Sequence, residues 1–168
     1  MYPIDPTAEK PAATNPVPSL AAMPGMKLLR MLAYQEAGRA MTDPENRAMI
    51  AQAAAGLAAS LSPANPNEIA QLIRRLAWHY PQPPRLAAAQ RAIAEDWLAD
   101  MAHLPADIID AACAQWRRAA NEYAPTPGQL LALANPIWEQ RRTLAIRAER
   151  FLEIPAAPAT SRRATGAA

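Results

Sequence analysis

Side chains able to do chemistry are few in this chain: one cysteine, Cys113, and two histidines, His79 and His103. A thiol becomes a nucleophile when a base stands beside it. The pattern around Cys113 instead places it next to Ala112 in an amphipathic helix, where cysteine serves as a small apolar filler. A lone cysteine also excludes an intrachain disulfide and any zinc site built from several thiolates. Asp96, Asp100 and His103 stand at i, i+4 and i+7, one above another on a helix, a spacing that metal ligands use. They form an incomplete set, and no second segment supplies obvious partners, although Asp107 and Asp110 follow. The sequence holds no G-x-x-x-x-G-K-[ST] phosphate loop, no G-x-G-x-x-G turn and no H-E-x-x-H pair. It therefore predicts no catalytic residue, no cofactor and no metal site.

Binding chemistry is better represented. If Ile69, Ile73, Leu76 and Tyr80 face inward on one helix, then Gln71, Arg74, Arg75 and Trp78 face outward. An indole between guanidinium groups can anchor a partner protein or stack on a base. The plainer alternative is that Trp78 packs beneath the proline-rich N-terminal residues or against another helix. A second positive surface comes from Arg142, Arg147 and Arg150, off the apolar face of the last helix and interspersed with Glu139 and Glu149. Arg162 and Arg163 carry the charge onward. Phosphate binding needs several cations to converge, so these five arginines are the nucleic-acid candidates, against the simpler reading of a solvated face. Residues 92–111 hold five carboxylates and no lysine or arginine. That stretch faces solvent or meets a basic partner, with Asp100, near the edge of the apolar stripe, expected to make a specific contact.

The elements that must position these groups are helices. Alanine fills 42 of the 168 positions and valine one, a composition that favours helix and disfavours a sheet. The predicted fold is an all-α compact array of about six short helices, residues 25–154. Six prolines among residues 1–24 make an extended or disordered arm, and residues 155–168 a flexible tail. Helices are expected over about 26–40, with Leu28, Met31, Leu32 and Gln35 along one side; from Asp43-Pro44 to Leu61, lining up Ile50, Ala54, Leu57 and Leu61; from Asn65-Pro66 to His79; over 85–103; over 106–123, with a stripe of Ile108, Ala112, Trp116, Ala119 and Tyr123; and from Thr126-Pro127 onward. Pro136 kinks or restarts the last of these, which carries Ile137, Leu144, Ala148 and Phe151 on one face. Asp43, Asn65 and Thr126 each precede a proline at a first helical position, and Glu68 and Gln129 stand where a capping box needs them. The four tryptophans fill the gaps that small side chains leave between such helices.

No run of 18 apolar residues exists, so no membrane span is predicted. The first residues lack the basic-then-apolar order of a secretory signal, which points to the cytoplasm. A net charge of +2 does not by itself imply a nucleic-acid partner.

One stretch carries a family likeness. Trp78-His79-Tyr80-Pro81, Trp97-Leu98-Ala99-Asp100, Leu104-Pro105-Ala106-Asp107-Ile108-Ile109, Ala112 with Trp116, and Ala124-Pro125-Thr126-Pro127-Gly128-Gln129-Leu130 follow one another in an order that resembles small helical proteins of phage and prophage replication regions. Some of those resemble loaders or inhibitors of the replicative helicase. The likeness covers about a third of the chain. Ala124 stands where that pattern usually has an aromatic, and Gln129 where it usually has glutamate. It implies a non-enzymatic adaptor or regulator that binds a replication protein, and it transfers no catalytic residue. The alternatives are a small DNA-binding protein using the arginines of the last helix, and a phage inhibitor of another host protein, a defence or transcription factor. The oligomeric state stays open.

Overall fold

A computed structural model describes residues 25–31, 34–82, 84 and 86–155. The chain is all-α: among the described residues there are seven helices and no strand, α1 (Met26–Met31), α2 (Tyr34–Ala40), α3 (Pro44–Ser60), α4 (Pro66–Ala77), α5 (Ala87–Met101), α6 (Ala106–Arg118) and α7 (Pro127–Glu153). The arm expected over residues 1–24 and, beyond Pro155, the expected tail with Arg162 and Arg163 lie outside the described residues.

Local chemistry at the predicted starts is as expected. The Asp43 carboxylate accepts from the Glu45 N–H at 3.0 Å. Asn65 and Glu68 form a reciprocal capping box, with bonds of 2.9 and 3.0 Å. Thr126 and Gln129 form another, and Pro44, Pro66 and Pro127 sit in the first turns that follow. Each box satisfies donors that a helix start otherwise leaves unpaired.

α7 is the spine. Its 27 residues span about 40 Å and continue through Pro136 as one helix, so that proline neither ends nor restarts it. The N-terminal half of α7, through Leu130 and Ala134, closes one core with Ile69, Leu76, Met101, Leu104, Ile108, Ile109, Ala112 and Cys113. The C-terminal half, through Ala145, Ala148 and Phe151, closes a second with Met26, Leu29, Ala37, Met41, Ile50, Ala53 and Leu57. Two arginines bind α3 to α7. Arg47, near the start of α3, donates to the Leu152 and Ile154 carbonyls at 2.6 and 2.7 Å. Arg141, midway along α7, donates to the Ser60 carbonyl at the end of α3 at 2.8 Å. The helices are therefore antiparallel, and each supplies a guanidinium to the carbonyl-rich C-terminus of the other.

Two expectations need correction. The single helix over 26–40 is described as α1 and α2, with residues 32 and 33 between them outside the described set. The buried side of α1 is Met26 and Leu29, whereas Leu28 is half-buried and Met31 is 70% exposed; Leu32 and the Gln35 side chain are not described. Gly25 sets that rotation. It has a φ of +82°, and a Cβ there would run into the Met49 carbonyl of α3, so only a glycine lets α1 begin this close to α3. The second correction concerns α6, which ends at Arg118 rather than near Tyr123. The Asn121 amide donates to the Trp116 carbonyl at 3.0 Å, and the Trp116 indole donates to the Tyr123 carbonyl at 3.1 Å. These bonds turn the chain back through Ala120 at φ 37°, leaving Ala119 and Tyr123 exposed.

Candidate functional site

α4 carries a clean amphipathic pattern, and the structure orients it as the spacing requires. Ile69 and Leu76 are buried, Ile73 and Tyr80 half-buried, and Gln71, Arg74, Arg75 and Trp78 exposed. Trp78 caps the C-terminus of α4 with 77% of its surface in water. Arg75 does not act as a second free cation beside it, because its guanidinium pairs with Asp110 of α6. Arg74 has no ion pair among the described residues.

Beside this face lies a groove of about 430 Å³. Ile69, Ile73 and Ala77 of α4 form one wall, Ile93, Trp97 and Leu98 of α5 the other, and the loop Ala124–Pro127 lies along it. Arg74, Gln82 and Gln90 bring polar groups to it, and Arg74 is the only charged residue in the lining among the described residues. The groove stays open because of what α5 is made of. The residues Ala87–Ala92 are all exposed, and the only fully buried residue of α5 is Met101 at its far end. Methyl groups are too short to reach across to α4, so the helix is held by its C-terminal part alone.

Three large exposed apolar residues, Trp78, Leu86 and Tyr123, are near in sequence to lining residues without lining the groove themselves, with exposures of 77, 81 and 71%. Leaving such a side chain in water forgoes about 1.5–3 kcal/mol of burial each.

The other candidates fall elsewhere. Arg142 is exposed, 5.4 Å from the Trp138 ring centre and 3.9 Å from Glu139; Arg147 is half-buried over the Phe151 ring at 5.2 Å, and Arg150 is exposed. Asp100 is exposed. His103 packs edge-on against Trp138, with ring centres 5.5 Å apart. Among the described residues no three histidine, cysteine or acidic side chains gather where they could hold a metal ion. Two of the five carboxylates in 92–111 find their cations within the chain, Asp107 on Arg141 and Asp110 on Arg75. Arg117 is half-buried, and its Nη1 lacks a hydrogen-bond partner among the described residues.

Cys113 is fully buried. Desolvation, with Asp110 adding to it, pushes its thiol up to about 11. Two consequences follow from the protonated thiol being favoured in the folded chain. Its contribution to stability is intact below the ordinary thiol pKa near 9 and is lost as pH rises from there through about 11. At pH 8 the folded protein should react with a thiol-specific disulfide reagent at least about 100-fold more slowly than the urea-unfolded chain; equal rates would mean that the α6 face is open.

Arg47, Arg141 and the groove itself were not among the residues singled out by spacing. For the arginines a signal exists. Arg47 lies on the stripe of Ile50, Ala54 and Leu57, and Arg141 on that of Ile137, Leu144 and Ala148. A cation on an inward stripe must find carbonyls or a carboxylate. No helix among the described residues is long and apolar enough to cross a membrane. Comparison with known protein families, curated proteins and solved structures finds no match to this chain.

Proposed function

We propose that this chain is a non-enzymatic adaptor or regulator that works by binding another protein across the α4–α5 face. The observation that carries the reading is Trp78, 77% exposed one turn beyond Arg74, an exposed arginine that lines an apolar groove and has no ion pair among the described residues. A tryptophan next to an arginine, rimmed by further apolar surface, has the composition of interface hot spots. The resemblance of residues 78–131 to phage replication-region proteins supplies the partner class, a replication protein such as the hexameric replicative helicase.

The test is capture of purified replicative helicase by the immobilised full chain, wild type against Trp78→Ala combined with Arg74→Ala. Both positions are exposed, so the fold should survive, which far-ultraviolet circular dichroism checks. Loss of a hot-spot tryptophan is worth at least about 2 kcal/mol, so the double variant should bind about 30-fold more weakly. Equal capture by both proteins would remove this face from the mechanism, and no capture by wild type would remove the helicase as partner.

A further inference from the structure

The face around Trp78 continues from α4 onto α6, and its charges narrow what it can hold. We propose that the shared end of α4 and α6 binds an acidic peptide segment of the partner, in which two carboxylates bracket an apolar side chain that packs on Trp78. The inference rests on the reading of Trp78 as an interface residue and adds the chemistry of the other side.

α4 and α6 lie side by side and run in the same direction. The Ala64 N–H, just before α4, donates to the Leu104 carbonyl, just before α6, at 2.9 Å, and further along Arg75 pairs with Asp110. Their last turns, holding Arg74 and Arg75 on α4 and Arg117 and Arg118 on α6, therefore share one end of the fold. The charges of Arg75, Asp110 and Arg117 all reach the Cys113 thiol, which places those three around it. Arginines in a last turn complement the helix dipole, and that alone asks for no partner. Two of the four are set apart by their surroundings. Arg74 is exposed and has no ion pair among the described residues. Arg117 is half-buried, also has no ion pair among the described residues, and its Nη1 lacks a hydrogen-bond partner there. A guanidinium that has given up water without gaining an acceptor gains most from a carboxylate.

Spacing sets the form of the ligand. Trp78 stands four residues after Arg74 and three after Arg75, the residue that faces α6, so its indole lies on the stretch between them. With helix axes 8–10 Å apart in such packing, Arg74 and Arg117 are about 15 Å from each other. An extended peptide covers that span in four or five residues. A nucleic acid suits the face less well. Its phosphates form an unbroken row of charge, whereas here the Asp110 carboxylate stands on the α4-facing side of α6 and Glu122 is exposed on the turn that follows. A peptide can put acids at the two arginines and an apolar residue between them.

The experiment selects a random twelve-residue peptide library, displayed on phage, against the immobilised full chain. Enriched peptides should carry aspartate or glutamate at two positions four or five residues apart, with an aromatic or large aliphatic residue between, and should lose binding to Trp78→Ala. Fluorescence anisotropy of the best peptide should show at least about 5-fold weaker binding to Arg74→Glu and to Arg117→Glu, and no change for Arg150→Glu in the half of α7 that closes the other core. Arg117→Gln replaces Arg117→Glu if circular dichroism shows the latter unfolded. Lysine in place of one acid of the peptide should recover binding to Arg74→Glu. Peptides that need Trp78 but carry no paired acids would overturn the acidic class and leave the reading of Trp78 standing. Peptides indifferent to both Trp78→Ala and Arg74→Glu would overturn the two together. Failure to enrich any sequence would also overturn the proposal, as would tighter binding of labelled oligo-dT than of the best peptide, which would make the ligand a single-stranded nucleic acid.

Discussion

Phe151→Ala should lower the free energy of unfolding by about 3–5 kcal/mol, the largest loss expected from any single truncation in this protein. Phe151 is the only phenylalanine, is fully buried, and closes the core formed by α1, α3 and the C-terminal half of α7. The other buried members of that core are methionines, alanines, leucines and Ile50. Met26 and Met41 are flexible enough to move partly into a vacated space, whereas Ala37, Ala53, Ala145 and Ala148 cannot reach it. The value should therefore fall in the lower part of the range, and the melting temperature about 10 °C below wild type. Arg147, whose guanidinium lies over the ring, would also lose that contact. Phe151→Leu, which keeps most of the volume, should cost less than about 1.5 kcal/mol. Urea melts of the three proteins check the series. A loss below 1 kcal/mol for the alanine variant would mean that this core is not organised around the ring.

How much of this architecture could be read in advance divides along physical lines. Helix starts were legible because their chemistry is local. Asp43, Asn65 and Thr126 each act within three residues of themselves, and the prolines behind them are compatible with nothing else nearby. The outward set on α4 was legible because one strong periodicity fixes both faces. The end of α6 was not, because alanine suits a helix at Ala119 and Ala120, and the residues that turn the chain are Asn121 and Trp116 acting through bonds that exist only once it has turned. The rotation of α1 was lost for a similar reason. Six residues are too few for periodicity to decide, and the deciding contact, Gly25 on the Met49 carbonyl, is tertiary.

The groove was illegible for a deeper reason: it is made by what the sequence lacks. Alanines at 87–89 and 92 read as good helix formers, and they are; what they cannot do is fill space, and whether space needs filling depends on the angle between α4 and α5. Trp97 was read as a space-filler between helices and proves half-buried, one side against the core of Ile69, Leu76 and Met101 and the other lining the opening. The arginines mislead in the opposite direction. Arg142 stands out by spacing as part of a charged surface and is held by Trp138 and Glu139, while its neighbour Arg141, which spacing does not single out, is the joint between the two halves of the fold.

That joint carries the second large effect. The Arg141 side chain is 10% exposed. It grips both oxygens of Asp107, at 3.0 and 2.6 Å, and donates to the Ser60 carbonyl at 2.8 Å. One guanidinium thus connects the C-terminus of α3, the first turn of α6 and the middle of α7, between the core closed by Ala134 and the core closed by Ala145. Arg141→Met keeps the aliphatic stem and removes the charge. It leaves the carbonyl of buried Ser60 without its donor, worth about 1–3 kcal/mol. It also strands the Asp107 carboxylate, which is 43% exposed, so water limits that penalty to well under the 3–5 kcal/mol of a fully buried pair. The sum should be about 2–3 kcal/mol, with the melting temperature falling by about 6–9 °C. Arg142→Ala, one residue away and 53% exposed, is the control and should stay within about 0.5 kcal/mol of wild type. Asp107→Asn in each background completes a double-mutant cycle: coupling of at least about 1 kcal/mol is expected with Arg141 and none with Arg142. Because the two cores are joined by α7, this contact network and the short α3–α4 connection, whose Leu61 packs on one core and Ala64 on the other, the urea transition of Arg141→Met should also broaden as the halves begin to unfold separately. An unchanged midpoint and slope would show that α7 and the α3–α4 connection suffice to couple them and that the guanidinium is dispensable.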